Sequence, residues 1–485
     1  MKNQVQLITY VDRLGGGGLA QLQTLLTGPL AGVFGGVHLL PFFFPIDGAD
    51  AGFDPIDHTA IDSRLGDWND LAALGQHVEV MADVIVNHMS SESPEFQDWA
   101  QRGDASPSAG LFLTYDAVFP QGATQADLLS IYRPRPGLPF TAATVKGERQ
   151  LLWTTFTAKQ VDIDVQHPTG QKYLSSILRK FADNGIRAIR LDAAGYAIKK
   201  AGDSCFMMPE TFTFIDAFAT EAKALGIEVL VEIHSHHRRQ IEIAKRVDWV
   251  YDFALPPLVL HAFAFHTAAA LKSWIAMRPT NALTVLDTHD GIGIIDIGAE
   301  PSDREGHPGL VAPAELDALV EHIHKNSGGV SRKATGAAAS NLDLYQVNCT
   351  FYDALARNDA AYLSARAIQF FLPGIPQVYY VGLLAGQNDV ALLERTGVGR
   401  DINRHHYTPD EIHRELQRPV VAQLLDLMRL RNTHAAFQGQ FSLLTSDDTQ
   451  LHLRWESASA EDAQAQFAEL KVCLRTLTHV LTCSE

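Results

Sequence analysis

Cysteine is scarce: Cys205, Cys349, Cys473 and Cys483 stand far apart in the 485 residues and form no CxxC pair. That excludes a disulfide framework and reads as reduced thiols in a cytoplasmic protein. No window reaches the ~18 consecutive apolar residues of a membrane span. The opening MKNQVQLITYVDR is strand-like; its apolar run is too short for a signal peptide and lacks a small-residue cleavage site. Basic residues are in deficit, 39 Lys and Arg against 56 Asp and Glu. The resulting formal charge of −17 speaks against general binding to nucleic acid or an anionic membrane. The glycine run 15–18 lacks GxGxxG spacing, so it is no dinucleotide fingerprint and reads as a mobile loop. Low-complexity tracts, internal repeats and any nucleotide, flavin or pyridoxal signature are missing too. No cofactor is expected.

What is present is a long alternation. At 46% hydrophobic the chain can bury a large core and should hold more than one domain. Eight apolar runs read as strands: 5–11, 36–44, 78–86, 186–191, 227–233, 247–255, 282–286 and 375–381. Helical patterns lie between them. In 167–185, Pro168 stands near the start, Tyr173, Leu174, Ile177, Leu178 and Phe181 repeat at three and four, and Gly185 closes the pattern. The stretch 209–226 repeats the design with Phe214, Ile215, Phe218 and Leu225. Eight strands interleaved with helices predict an α/β fold, a (β/α)8 TIM barrel. Residues 1–88, 167–290 and 359–435 are assigned to it. Two connections are too long for a simple helix, 89–166 after strand three and 291–358 after strand seven, and are expected as insertions over the active face. Beyond about Ala436 the pattern alternates, as in Leu451, Leu453 and Trp455, which predicts a small antiparallel C-terminal β domain over 436–485.

The chemistry gathers at strand ends. Arg190 and Asp192 in IRLDAAGY are two apart, on one side of a buried strand at its C-terminal end. Taken alone the pair reads equally well as a buried ion pair that fixes packing. Glu232 in LVEIHSHH and Asp290 in VLDTHDG end two further strands, with His88 closing DVIVNH and His289 beside Asp290. In a barrel these ends converge on one mouth. Three acids escorted by an arginine and two histidines fit a site that cleaves or transfers a glycosyl group. Retaining chemistry needs a nucleophilic carboxylate and a protonated acid ~5–5.5 Å apart. His234, His236 and His237 invite a metal reading, but no carboxylate–histidine metal motif surrounds them. No metal is expected, and His234 is favoured as a hydrogen bonder to the acceptor.

The DVIVNH, RLDA, strand-five Glu and HD motifs resemble those of the α-amylase superfamily of glycoside hydrolases. Within it, the likeness is to the branch of phosphorylases that move glucose from sucrose to inorganic phosphate. It runs from VQLITYVDRLG through ADAGFDPIDH, IYRPRPGLPF, SCFMMP, YDFALPPL, VLDTHDGIG and AAASNLDLYQVN to PGIPQVYYVG and GRDINRH. The resemblance implies Asp192 as nucleophile, Glu232 as acid and base, and Asp290 as stabiliser of the transition state. Arg190 would keep Asp192 ionised. His88 and His289 would bind glucose hydroxyls, Asp50 and Arg400 the far edge of the ring, and Phe53 and Phe156 its apolar face. Without the resemblance, Phe53 and Phe156 read equally as core aromatics and Asp50 as a turn residue. A homodimer is implied as well.

Water exceeds cellular phosphate by roughly four orders of magnitude, so preferring phosphate takes about 5 kcal/mol of differential binding in the transition state. Arg135, stiffened by prolines on both sides in IYRPRPG, is the leading phosphate ligand. Tyr132, Pro134, Tyr196 and His234 are placed with it at the acceptor site, as are Leu342, Asp343, Tyr345 and Gln346. Asp343 would repel phosphate and suit fructose, so the loop is expected to switch between two arrangements. The alternatives are sister phosphorylases for sucrose 6'-phosphate, glucosylglycerol or glucosylglycerate, or a sucrose hydrolase or transglucosidase.

Overall fold

The computed structural model describes residues 1–134, 137–299, 306–338, 346–457 and 465–484. Eight parallel strands close into a barrel: β1 (Gln6–Thr9), β2 (Gly36–Leu39), β3 (Glu79–Ile85), β4 (Ala188–Asp192), β5 (Glu228–Val231), β6 (Trp249–Asp252), β7 (Ala282–Thr284) and β8 (Ile375–Tyr379). Each pairs with the next, and β8 returns to β1 with Gln377 opposite Gln6 and Tyr379 opposite Ile8. Closure leaves no edge, and the surrounding helices cover the outer face. The strands therefore read as continuous apolar runs. Met81, Ala188, Leu230, Tyr251, Leu283 and Ile375 form a separate buried cluster that fills the barrel.

Helix Pro168–Asp183 has proline in its first turn and the His167 side chain accepting from the Thr169 N–H, with Leu174, Ile177, Leu178 and Phe181 buried. Helix Pro209–Ala224 buries Thr211, Ile215, Phe218 and Ala222. Two local expectations fail. The run 36–44 is not one strand: β2 stops at Leu39, and Phe43–Phe44 pairs antiparallel with Asp57–Ile61. Pro41, between them, has no N–H to continue a ladder. Nor is 15–18 a loose loop. The Gly15 N–H donates to the Tyr407 carbonyl at 3.1 Å, and Gly18 opens helix Leu19–Thr27. A Cβ on Gly18 would collide with the Leu65 carbonyl, so the glycine is there for close approach.

Both long connections are gathered at their base by short antiparallel ladders. His88–Ser90 pairs with Gln160–Asp162, and Ile292–Gly293 with Gln346–Val347. These ladders fix where each excursion leaves and rejoins the barrel mouth. A four-stranded antiparallel meander ends the chain: β9 (Gln440–Leu443), β10 (Gln450–Glu456), β11 (Phe467–Cys473) and β12 (Thr478–Cys483). Leu451, Leu453, Trp455, Leu470 and Val472 bury one face of it, and the Trp455 indole N–H donates to the Phe371 carbonyl at 2.6 Å. Among the described residues no helix is long and apolar enough to cross a membrane.

Candidate active site

Arg190 organises the mouth of the barrel. Its guanidinium is only 1% exposed and is shared among three carboxylates. Nη1 lies 2.5 Å from Asp83 Oδ1 and 3.0 Å from Asp192 Oδ1, and Nη2 lies 2.9 Å from Glu232 Oε1. Strand register explains the assembly: Arg190 on β4 stands level with Asp83 on β3, and Glu232 directly follows β5. Asp83 also accepts from His38 Nε2 at 3.1 Å. Burial works against its charge, but Arg190 and His38 hold Asp83 down at about 2.

Arg190 therefore gives Asp192 only a share of its charge. Burial raises the Asp192 carboxyl well above its ordinary value; Arg190 opposes this and Glu232 adds to it. One guanidinium thus sets two carboxyl groups side by side, the arrangement that acid–nucleophile chemistry needs. Asp290 behaves differently. Burial again raises it, yet Arg400 at 2.8 Å, backed by His289, Arg190 and His234, holds it well below the usual carboxylate range. It stays an anion facing the pair.

The other walls are aromatic. His289 stacks on Phe53 at 5.0 Å and an interplanar angle of 6°, and meets Tyr10 edge-on. Burial pushes the His289 imidazole down to about 3 and also lowers His88. Both rings are thus neutral near pH 7 and suited to sugar hydroxyls. His88 Nε2 lies 2.8 Å from the Phe53 carbonyl, and the His88 ring packs on Phe156. From Phe156 the wall continues through Tyr196 and Phe206 to Tyr132. Asp50 lies 3.7 Å from both Arg400 and Arg404. It, Ala51 and Ala193 have left-handed backbones, with φ of 51°, 55° and 55°. Strain of about 1–3 kcal/mol per residue is thereby concentrated at the mouth.

On the acceptor side, His234 stacks on Phe253 at 3.8 Å and reaches Gln346 Nε2 at 3.3 Å. Ligating atoms of Glu232, His234 and Asp290 lie within 4.8 Å of one another. Arg190 and Arg400 already pair with the two acids, so the trio reads as donors and acceptors for substrate rather than as a cation cage.

Comparison with known proteins agrees with this arrangement. Residues 33–284 match the alpha-amylase catalytic domain. Sucrose phosphorylase from Agrobacterium vitis is 59% identical over 97% of this chain and 95% of that protein. The enzyme of the same name from Bifidobacterium adolescentis is 54% identical over 95% and 91%. The crystal structure of sucrose 6F-phosphate phosphorylase from Thermoanaerobacter thermosaccharolyticum superposes with a TM-score of 0.89 at 36% identity, covering 100% of this chain and 96% of that one. The chain belongs to the sucrose phosphorylase family of the α-amylase superfamily.

Of the residues singled out in the sequence, Asp192, Glu232, Asp290, Arg190, Asp50, Phe53, His88, Phe156, His289, Arg400, Tyr132, Tyr196, His234 and Gln346 all surround this one mouth. Pro134 follows Tyr132 at the rim. Arg135, Leu342, Asp343 and Tyr345 lie outside the described residues. Four contributors escaped sequence reasoning. Asp83 fixes Arg190. Arg404 donates to the His289 carbonyl at 3.0 Å. Phe206 bridges Tyr132 and Tyr196. Asp296 holds His234. Asp83 could have been found as a charge in the middle of the apolar run of β3, and Arg404 as the second arginine of GRDINRH.

Proposed function

We propose that this member of the family is a sucrose phosphorylase. It would move glucose from sucrose to inorganic phosphate by a retaining double displacement, releasing D-fructose and α-D-glucose 1-phosphate. Asp192 attacks the anomeric carbon as the bond to the fructosyl oxygen breaks, and Glu232 donates its proton to that oxygen. The product is a β-glucosyl ester of Asp192. Glu232 then takes the proton of the incoming phosphate, whose oxygen displaces Asp192 from the opposite face. Asp290 stabilises the positive charge that builds on the sugar in both steps. His88, His289, Asp50, Arg400, Phe53 and Phe156 hold the glucosyl unit. Arg135, Tyr132, Pro134, Tyr196, His234, Leu342, Asp343, Tyr345 and Gln346 receive fructose and phosphate by turns.

The observation that carries this reading is the single guanidinium shared by Asp192 and Glu232, with Asp290 pinned by Arg400 beside them. Identities of 59% and 54% to proteins named for the activity support it. In the same reading 89–166 and 291–358 are the insertions that shape the acceptor site, and 436–485 is the C-terminal domain. Four free cysteines fit a cytoplasmic enzyme, and we take a homodimer as its assembly, to be checked by light scattering. The deciding experiment is incubation with sucrose and phosphate, beside parallel reactions with sucrose 6'-phosphate, glucosylglycerol and glucosylglycerate. α-Glucose 1-phosphate formed fastest from sucrose supports the proposal. Glucose alone makes the protein a hydrolase, and faster turnover of another donor makes it a sister phosphorylase.

A further inference from the structure

Asp296, on the segment after β7, is fully buried. Its Oδ2 lies 2.9 Å from His234 Nδ1, while Oδ1 accepts from the Ser235 N–H and from Gln240 Nε2, each at 3.1 Å. Three donors offset the cost of burying that carboxylate. The backbone is shaped around the pair: a Cβ on Gly293 would overlap Asp296 Oδ2 and crowd His234. Phe253 beneath the ring removes its remaining freedom, so Nε2 has one direction, toward the space beside Glu232 and Asp290. Gln346 Nε2 lies on that side at 3.3 Å.

We propose that Asp296 is a positioning residue for phosphate: it fixes the His234 ring, and a positive charge on it, against the acceptor, and so sets how strongly the glucosyl-enzyme prefers phosphate to water. This rests on the phosphorylase reading above. The charged groups around His234 are Asp296 at Nδ1, Glu232 and Asp290 across the pocket, and Arg190 and Arg400 paired to those acids. Burial disfavours an imidazolium here, but Asp296, with Glu232 and Asp290 behind it, raises His234 above the ordinary histidine value. The charge is then present below that raised value and is lost as pH rises through it. Phosphate, arriving as an anion, would displace the Gln346 amide and accept a hydrogen bond from Nε2–H.

The test compares phosphorolysis with hydrolysis of sucrose, each against pH, in the wild type and in Asp296→Asn, with the His234 ring followed by nitrogen NMR. Asp296→Asn is expected to raise the phosphate KM about tenfold, the worth of one charge-assisted hydrogen bond. Hydrolysis should change by less than about threefold, the alkaline loss of phosphorolysis should move to lower pH, and Asp296→Glu should recover part of the effect. Parallel loss of both reactions, or an unchanged phosphate KM and pH profile in a folded variant, overturns the proposal. Should the variant fail to fold, the wild-type ring decides: a neutral His234 at pH 7 under saturating inorganic phosphate also overturns it. Failure of the wild type to make α-glucose 1-phosphate is a separate result and removes the activity itself.

Discussion

Asp83 touches no reacting atom in the proposed mechanism, yet changing it to asparagine should move the pH profile. Asp83 Oδ1 and Asp192 Oδ1 face the same Arg190 nitrogen at 2.5 and 3.0 Å. Two charges about 5 Å apart interact by about 3 kcal/mol at an effective dielectric constant of ~20, or about two pH units. Asp83→Asn removes a negative charge that raises Asp192 and returns the share of Arg190 that Asp83 holds. Both changes favour the ionised form of Asp192. The sign follows: the acid limb of kcat/KM for sucrose, where the Asp192 carboxylate takes up a proton, should move to lower pH by about one to two units. The upper figure assumes no rearrangement; rotation of His38 onto the new amide would reduce it. The substitution also leaves a buried guanidinium short of one partner, at a cost of about 3–5 kcal/mol, so thermal unfolding must be recorded beside the kinetics. A folded Asp83→Asn enzyme whose acid limb coincides with the wild type would refute the shared-charge account of Arg190.

Glu232→Gln should stall on sucrose by about 10²–10⁴-fold yet still glucosylate Asp192 from α-glucosyl fluoride, whose leaving group needs no proton; intact-protein mass spectrometry reads the trapped ester, and equal loss with both donors removes Glu232 from the acid role. Arg135→Ala should lower phosphorolysis far more than sucrose hydrolysis, and an equal loss in both takes Arg135 out of the phosphate site. Trp455→Ala deletes a buried indole that donates to the Phe371 carbonyl; it should cost about 3–5 kcal/mol of stability with kcat and KM unaltered below the transition, and altered kinetics would mean the C-terminal sheet reaches the site.

The barrel was legible because its strands are buried on two faces, which leaves an apolar run for each of the eight. The three acids proposed for catalysis stood out because a charge at the end of such a run needs a reason. What sequence reasoning missed lies one step behind those acids. Asp83 sits inside an apolar strand, where the run itself hides a charge whose partner is 107 residues away. Asp296 meets His234 across 62 residues, between loops whose mutual position follows from barrel closure and from no local pattern. The break of 36–44 at Pro41 had a visible cause, but five apolar or aromatic neighbours outweighed one proline. Arg190 shows a different limit. Its adjacency to Asp192 was plain, whereas its division among three carboxylates depends on β3 and β5 standing in register with β4.

Charge accounting explains why glucosyl chemistry and phosphate selection are written in different parts of the chain. Asp83, Asp192, Glu232 and Asp290 face Arg190 and Arg400. Four carboxyl groups there outnumber two guanidiniums, which favours a positive charge growing on the sugar and disfavours an arriving phosphate. In the proposed mechanism the cations for phosphate are therefore supplied apart from those acids, by His234 and Arg135. The two functions are separable in one direction only. Removing Arg135 and His234 should leave an enzyme that cleaves sucrose to glucose and fructose, whereas removing Asp192 should abolish transfer to every acceptor at once.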